Sequence, residues 1–157
     1  IIISIFTIIK RYNDWILVVT GANTDPGGNR INELTEKEAT ENKNVIKFFY
    51  SLGKQKYLSM LNEVEFVIGN SSSGVVEAPF VGVPSLDIGD RQTGRFRADS
   101  VKHIESDPAI IEEQISLWLS SPPQITKRSF YYGDGKASDT IANKIIDIVV
   151  KDEKHWR

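Results

Sequence analysis

The sequence predicts an α/β fold built on a parallel sheet, and three observations carry that expectation. Short apolar runs alternate with helix-patterned segments along the whole chain, the signature of strands joined by right-handed helical crossovers. The first clear run, WILVVTG at 15–21, is continuously apolar, as suits a strand covered on both faces. The third is size and composition: 157 residues, 40% hydrophobic and 25% charged, describe one globular domain able to bury a core.

Taken in order, Ile1, Ile5, Ile8, Ile9 and Tyr12 recur at helical spacing and predict a helix over 1–12. The strand 15–21 comes next, then 22–29 (ANTDPGGN), which is turn chemistry throughout. A polar, Glu-rich surface helix occupies 30–42. A second strand, 45–52 (VIKFFYSL), leads to a short helix, 54–62, with Tyr57, Leu58 and Leu61 inward. Residues 65–69 (EFVIG) make a third strand, 70–73 a polar turn and 74–81 a helix. The fourth strand is 83–89 (VPSLDIG) and the fifth 100–104. Ser106-Asp107-Pro108 is a helix start, a cap before a first-turn proline. That helix buries Ile110, Ile111, Ile115, Trp118 and Leu119 until Pro122-Pro123 ends it. A last helix, 137–150, carries Ile141, Ile145, Ile148 and Val149 on one face. No internal repeat, linker or low-complexity tract interrupts the pattern.

Composition excludes several classes of function. Net charge is −2 and no run of Lys or Arg exceeds two, which leaves no nucleic-acid footprint. The absence of cysteine rules out a disulfide framework or a thiolate metal site and favours a cytoplasmic location. His103 and His155 lie far apart without ligand-type spacing, so no metal is expected. The apolar start at 1–9 is too short to span a bilayer, and its Lys10-Arg11 pair follows rather than precedes it, against a signal peptide. The chain opens on Ile1 and its only methionine is Met60, from which we expect a fragment beginning inside a buried helix.

In open parallel sheets ligands bind beyond the carboxyl ends of the strands, so the residues just after each strand are informative. After the third strand, 69–77 (GNSSSGVVE) combines three serines and two glycines at a helix start, suited to a diphosphate, with Glu77 able to accept both hydroxyls of a ribose. The same residues serve equally as a helix cap and a dipole partner. After the fourth strand, 89–95 (GDRQTGR) frames two arginines with glycines, a loop for phosphate or carboxylate, or else a solvated surface loop. After the first strand, 22–28 allows close backbone approach to a ligand, although on spacing alone a plain turn into a helix is the better account.

Together these motifs resemble the UDP-N-acetylglucosamine 2-epimerases, especially the hydrolysing branch of sialic-acid precursor synthesis. The match runs from 21–28 (GANTDPGG) through 69–74 (GNSSSG) with Glu77, to 90–95 (DRQTGR) and 132–135 (YGDG). The family's order and approximate spacing are kept across nearly the whole chain. The resemblance implies a Rossmann-like domain with helices on both faces of its sheet, the C-terminal, nucleotide-binding half (1–157) of a GT-B-type two-domain enzyme. It implies that Ser71 and Ser72 hold a diphosphate, Glu77 the ribose, and backbone near Leu52 the uracil. Asn23 would line the cleft and Arg91 would contact the nucleotide.

The implied reaction eliminates UDP from UDP-N-acetylglucosamine to a glycal, then adds water to give N-acetylmannosamine. Donors fixed around the phosphates would stabilise the departing charge. Proton transfer at the sugar needs carboxylates and a histidine, which the family draws mainly from an N-terminal domain absent here. We therefore expect no catalytic residue in this chain, no cofactor and no metal. His103 does not match the family's histidine. The expected partners are UDP or its sugar conjugate, the missing N-terminal domain and a second copy in a homodimer. Asn29 separates Gly28 from Arg30, where the family often has two glycines followed by arginine, so Arg30 is not carried over. A GT-B glycosyltransferase donor domain and a non-catalytic nucleotide-sugar module are the alternative readings.

Overall fold

A computed structural model describes residues 1–23, 25–124 and 127–155, with backbone alone for 150–155. Helix α1 (Ile2–Ile9), strand β1 (Leu17–Thr20), helix α2 (Gly28–Glu41), strand β2 (Ile46–Phe49), helix α3 (Gly53–Leu61) and strand β3 (Val67–Gly69) come first. A 3-10 turn (Ser72–Gly74), helix α4 (Glu77–Val81), strand β4 (Ser85–Ile88), a second 3-10 turn (Asp90–Gln92) and strand β5 (Val101–Ile104) follow. Helices α5 (Pro108–Ser120) and α6 (Ala137–His155) complete the order.

Every strand pairing is parallel, and the α/β class read from the sequence holds. The hydrogen-bonded ladders form two groups, β1–β2 and β3–β4–β5. Packing joins them: Leu17, Val19 and Ile46 share one apolar core with Ile68, Leu86 and Ile88.

Alternation along β4 sorts its two faces. Leu86 and Ile88 meet α1 and α5 through Ile5, Phe6, Ile8, Ile9, Ile111, Ile115 and Trp118. Full burial of each such side chain stabilises the fold by about 1.5–3 kcal/mol. Ser85 and Asp87 point to the other face, where the first 3-10 turn lies so close that a Cβ on Gly74 would sit 2.7 Å from Ser85 Oγ. Helices α1 and α5 cover one face of β4 and the serine turn the other, and all four of its residues are buried.

Helix α1 forms with Ile5, Ile8 and Ile9 inward as read, but it spans Ile2–Ile9 rather than 1–12, and the chain turns at Lys10 and Arg11. The cap of α5 is also as read: the Asp107 carboxylate accepts from the N–H groups of Ala109 and Ile110 at 2.9 and 3.1 Å.

Three further expectations need correction. Ile110 is 37% exposed, because the buried stripe of α5 runs through Ile111, Gln114, Ile115, Trp118 and Leu119 and leaves position 110 off that face. Strand β1 is only half-buried, and the polar helix α2, which packs on its neighbour β2, buries just Gly28 and Thr35. The helix read over 74–81 begins at Glu77 and lasts five residues. The serines wind into a 3-10 turn before it, and Gly82, at φ 89°, closes it in a left-handed C-cap.

The apolar face foreseen on the last helix exists, but Ile141, Ile145, Ile148 and Val149 are each more than half exposed.

Candidate functional site

The loops after β1, β3 and β4 are tied to one another, and each tie comes from a named side chain. From the loop after β4, the Arg91 guanidinium donates to Asp25 Oδ2 in the loop after β1, at 3.1 Å. The next residue, Gln92, turns inward and donates from Nε2 to the carbonyl of Asn70, in the serine turn after β3, at 2.8 Å. Tyr57 of α3 shares a short hydrogen bond with the Ser73 hydroxyl on the same turn. The first, second and third turns singled out in the sequence therefore assemble at the carboxyl ends of the strands, where such sheets bind ligands.

Within the serine turn, Ser71 is the N-cap and its Oγ accepts from the Ser73 N–H at 3.4 Å. Ser71 and Ser72 remain exposed, while Ser73 is half-buried against Tyr57. A helix of five residues carries little macrodipole, so an anion here would be met by individual hydroxyl and N–H groups rather than by the helix as a whole. Glu77 opens α4 and is half-buried. Burial pushes the Tyr57 phenol above its ordinary value of 10.0, and the Glu77 charge adds to the rise while the Ser73 bond opposes it.

Asn23 sits in its loop against the start of α2, where a Cβ on Gly28 would fall 1.9 Å from the Asn23 carbonyl oxygen. Only glycine permits that approach. Neighbouring Ala22 is pinned by Asn32, whose Oδ1 accepts the Ala22 N–H at 2.7 Å. Thr24 lies outside the described residues. Leu52 precedes α3 and is half-buried. Among the described residues, no side-chain hydrogen bond joins Asn23 or Leu52 to Ser71, Ser72, Glu77 or Arg91.

Sequence reading passed over four residues that shape this region: Asp87, Gln92, Arg97 and Tyr57. Asp87 is buried on β4, and its Oδ2 receives Arg97 Nε at 2.8 Å and Nη2 at 2.7 Å. His103 Nδ1 lies 3.4 Å from both Arg97 Nη2 and Asp87 Oδ2. Unprotonated, that nitrogen accepts from the arginine; protonated, it donates to the carboxylate. His103, on β5, thus joins the Asp87–Arg97 pair. The available signal was an aspartate inside the strand read over 83–89, since a buried charge demands a partner. His155 has no described side chain.

The fourth motif also reaches this end. Tyr132 Oη donates to the Phe96 carbonyl at 2.9 Å, and the Tyr131 ring stacks on Phe96 at 3.7 Å. Among the described residues no group of three His, Asp or Glu side chains could hold a metal ion, and no helix is long and apolar enough to cross a membrane.

A hollow of about 600 Å³ opens at the opposite end of the strands, lined by Lys10, Asn13, Asn42 and Lys43 among others. Its size does not make it the better anion site. The carboxyl ends of α1 and α2 face that region with their carbonyl dipoles, and Lys10 is already paired to Glu38 at 3.0 Å.

Residues 1–146 match the family model described as UDP-N-acetylglucosamine 2-epimerase. The chain is 45% identical over 85 residues to a GDP/UDP-N,N'-diacetylbacillosamine 2-epimerase (hydrolyzing) of Campylobacter jejuni, covering 54% of this chain and 22% of that protein. It is 34% identical over 90 residues to a UDP-N-acetylglucosamine 2-epimerase of Neisseria meningitidis, covering 57% and 24%. Similarity to the polysialic acid biosynthesis protein P7 of Escherichia coli is 32% identity over 116 residues, covering 74% and 29%. The matched stretches span less than a third of the length of these relatives.

Proposed function

From the premise that this chain belongs to the UDP-N-acetylglucosamine 2-epimerase family, we propose that it carries the nucleotide-binding part of a hydrolysing epimerase. The observation that carries the reading is the convergence of the three post-strand loops through Arg91–Asp25 and Gln92–Asn70. That convergence supports a phosphate site made of Ser71, Ser72 and Arg91. Glu77, at the far side of the serine turn, supplies the carboxylate for a ribose. Asn23 lines the cleft, and backbone near Leu52 meets the base.

The substrate is UDP-N-acetylglucosamine or an acetamido relative, and the products are UDP and the free 2-epimeric sugar. Leaving-group departure concentrates negative charge on the diphosphate, where hydroxyl, N–H and guanidinium donors fixed in advance lower the barrier most. The chain's own residues hold the nucleotide; the acids and bases acting on the sugar come from an N-terminal domain. A second copy completes a homodimer, and the setting is the cytoplasm. The hydrolysing branch is favoured over sugar transfer because the Campylobacter jejuni relative is named as a hydrolyzing 2-epimerase.

Calorimetric titration with UDP, using GDP as control, tests the binding half of this reading. Selective UDP binding is expected, and Glu77→Ala should weaken it by about 1–3 kcal/mol as a bidentate partner is lost. Equal affinity in the variant would remove Glu77 from the site. For the activity, the chain joined to its N-terminal domain should release UDP and N-acetylmannosamine; net transfer of the sugar to an acceptor would establish a glycosyltransferase instead. The chain alone should turn over no substrate.

A further inference from the structure

Gln92 is only 3% exposed, although it lies in a loop whose neighbours Arg91, Thr93, Gly94 and Arg95 are all exposed. Its side chain crosses from the loop after β4 to the serine turn and donates from Nε2 to the Asn70 carbonyl, one residue before Ser71. The partner fixes the orientation of the amide, because a carbonyl oxygen accepts only from the nitrogen end. The other end, Oε1, is buried with no hydrogen-bond partner among the described residues. An apolar side chain of similar length would fill the same space and spare that oxygen, but would leave the Asn70 carbonyl without its Gln92 donor. The two effects oppose each other, so the distinct contribution of the amide is the link it makes. What it does is hold the backbone that carries Arg91 at a fixed distance from the backbone that carries Ser71 and Ser72. Arg97, gripped by buried Asp87, anchors the far end of the same loop.

We propose that Gln92 is a positioning residue of the nucleotide site, setting the Arg91 guanidinium against the serine turn so that both meet one diphosphate. The proposal rests on the uridine-diphosphate reading above. Among the described residues, the Arg91 side chain is tethered only by an exposed bond to Asp25, with side chains 47% and 66% exposed, so these contacts do not fix where it sits. Its placement comes from the backbone, and Gln92 is the buried side chain that ties that backbone to the turn.

A double-mutant cycle on this chain tests the idea, with Gln92→Met and Arg91→Ala made singly and together and UDP binding read by calorimetry. Thermal midpoints are read alongside. Gln92→Met should weaken UDP about tenfold, since small misplacements of a preset contact are costly, while the thermal midpoint stays level or rises. In the Arg91→Ala background the same change should cost nothing further. Unchanged affinity in Gln92→Met would overturn the proposal and leave the nucleotide reading standing. An equal loss in both backgrounds, or a loss that tracks a fall in the midpoint, would make Gln92 a purely structural residue and overturn it too. Failure of the unaltered chain to bind UDP would instead sink the nucleotide reading, and this proposal with it.

Discussion

The β1–β2 region and the β3–β4–β5 region contribute loops to the same end of the molecule but hold them in different ways. Strands β1 and β2 are mostly half-buried or exposed and lie beside the polar helix α2. Strand β4 is buried along its whole length, with α1 and α5 on one face and the serine turn on the other. The loops after β3 and β4 thus rest on a packed core and are fastened by the buried residues Gln92 and Asp87. The loop after β1 reaches them through an exposed ion pair. The difference teaches that the candidate site has a rigid wall and an adjustable one. Arg91 and the serines stand on the first, Asn23 and Asp25 on the second.

The sharpest way to break that contrast is to remove core from each region. Leu86→Ala, at a position with 0% exposure, should cost about 2–5 kcal/mol. Val18→Ala on half-buried β1 should cost about 1 kcal/mol or less. Chemical denaturation measures both, and equal losses would end the distinction.

Next in size is Arg97→Ala, which leaves the Asp87 carboxylate buried without its cation. Because Arg97 is itself partly exposed, we expect about 2–3 kcal/mol, read from the same denaturation curves. A loss within error of zero would mean that water replaces the guanidinium freely and that the loop is not anchored there.

A smaller effect should appear at alkaline pH. The Tyr57 phenol is raised above 10.0 in the folded chain, so it holds its proton more tightly there than when unfolded. Its contribution is intact below pH 10.0 and is lost as pH rises through the folded value. Tyr57→Phe should therefore flatten the alkaline end of the stability curve, and a curve that keeps its slope would assign the loss to other groups.

The smallest effect is expected at Asp25→Asn. An exposed pair contributes about 0–1 kcal/mol, so stability should hardly move in a thermal melt. A drop comparable to that of Arg97→Ala would show both walls of the site to be equally fixed.

Much of the candidate site was legible because strand ends and turn residues have local causes. The serine turn, the Arg91 loop and the glycine-rich 22–28 loop are marked by Gly, Ser, Asn and Asp, whose turn chemistry needs no distant partner. Gln92 was not legible. In sequence it is one polar residue in a polar loop, and only the Asn70 carbonyl, 22 residues away, turns it inward. For Asp87 the strand position signalled a buried charge in need of a partner, but nothing local announces that the partner is the loop arginine Arg97.

The two isoleucine-rich helices at the ends of the chain draw the same line. Periodicity alone determined that each end of the chain carries a helix with an apolar face, because the 3.6-residue repeat is a property of the segment itself. Whether those faces are covered was decided by tertiary structure. On α1, Ile5, Ile8 and Ile9 are at most 5% exposed because α5 and β4 lie against them. On α6, Ile141 and Ile145 remain 59% and 56% exposed. A sequence specifies which side of a helix is apolar; burial requires a second surface, and that surface comes from residues far away in the chain.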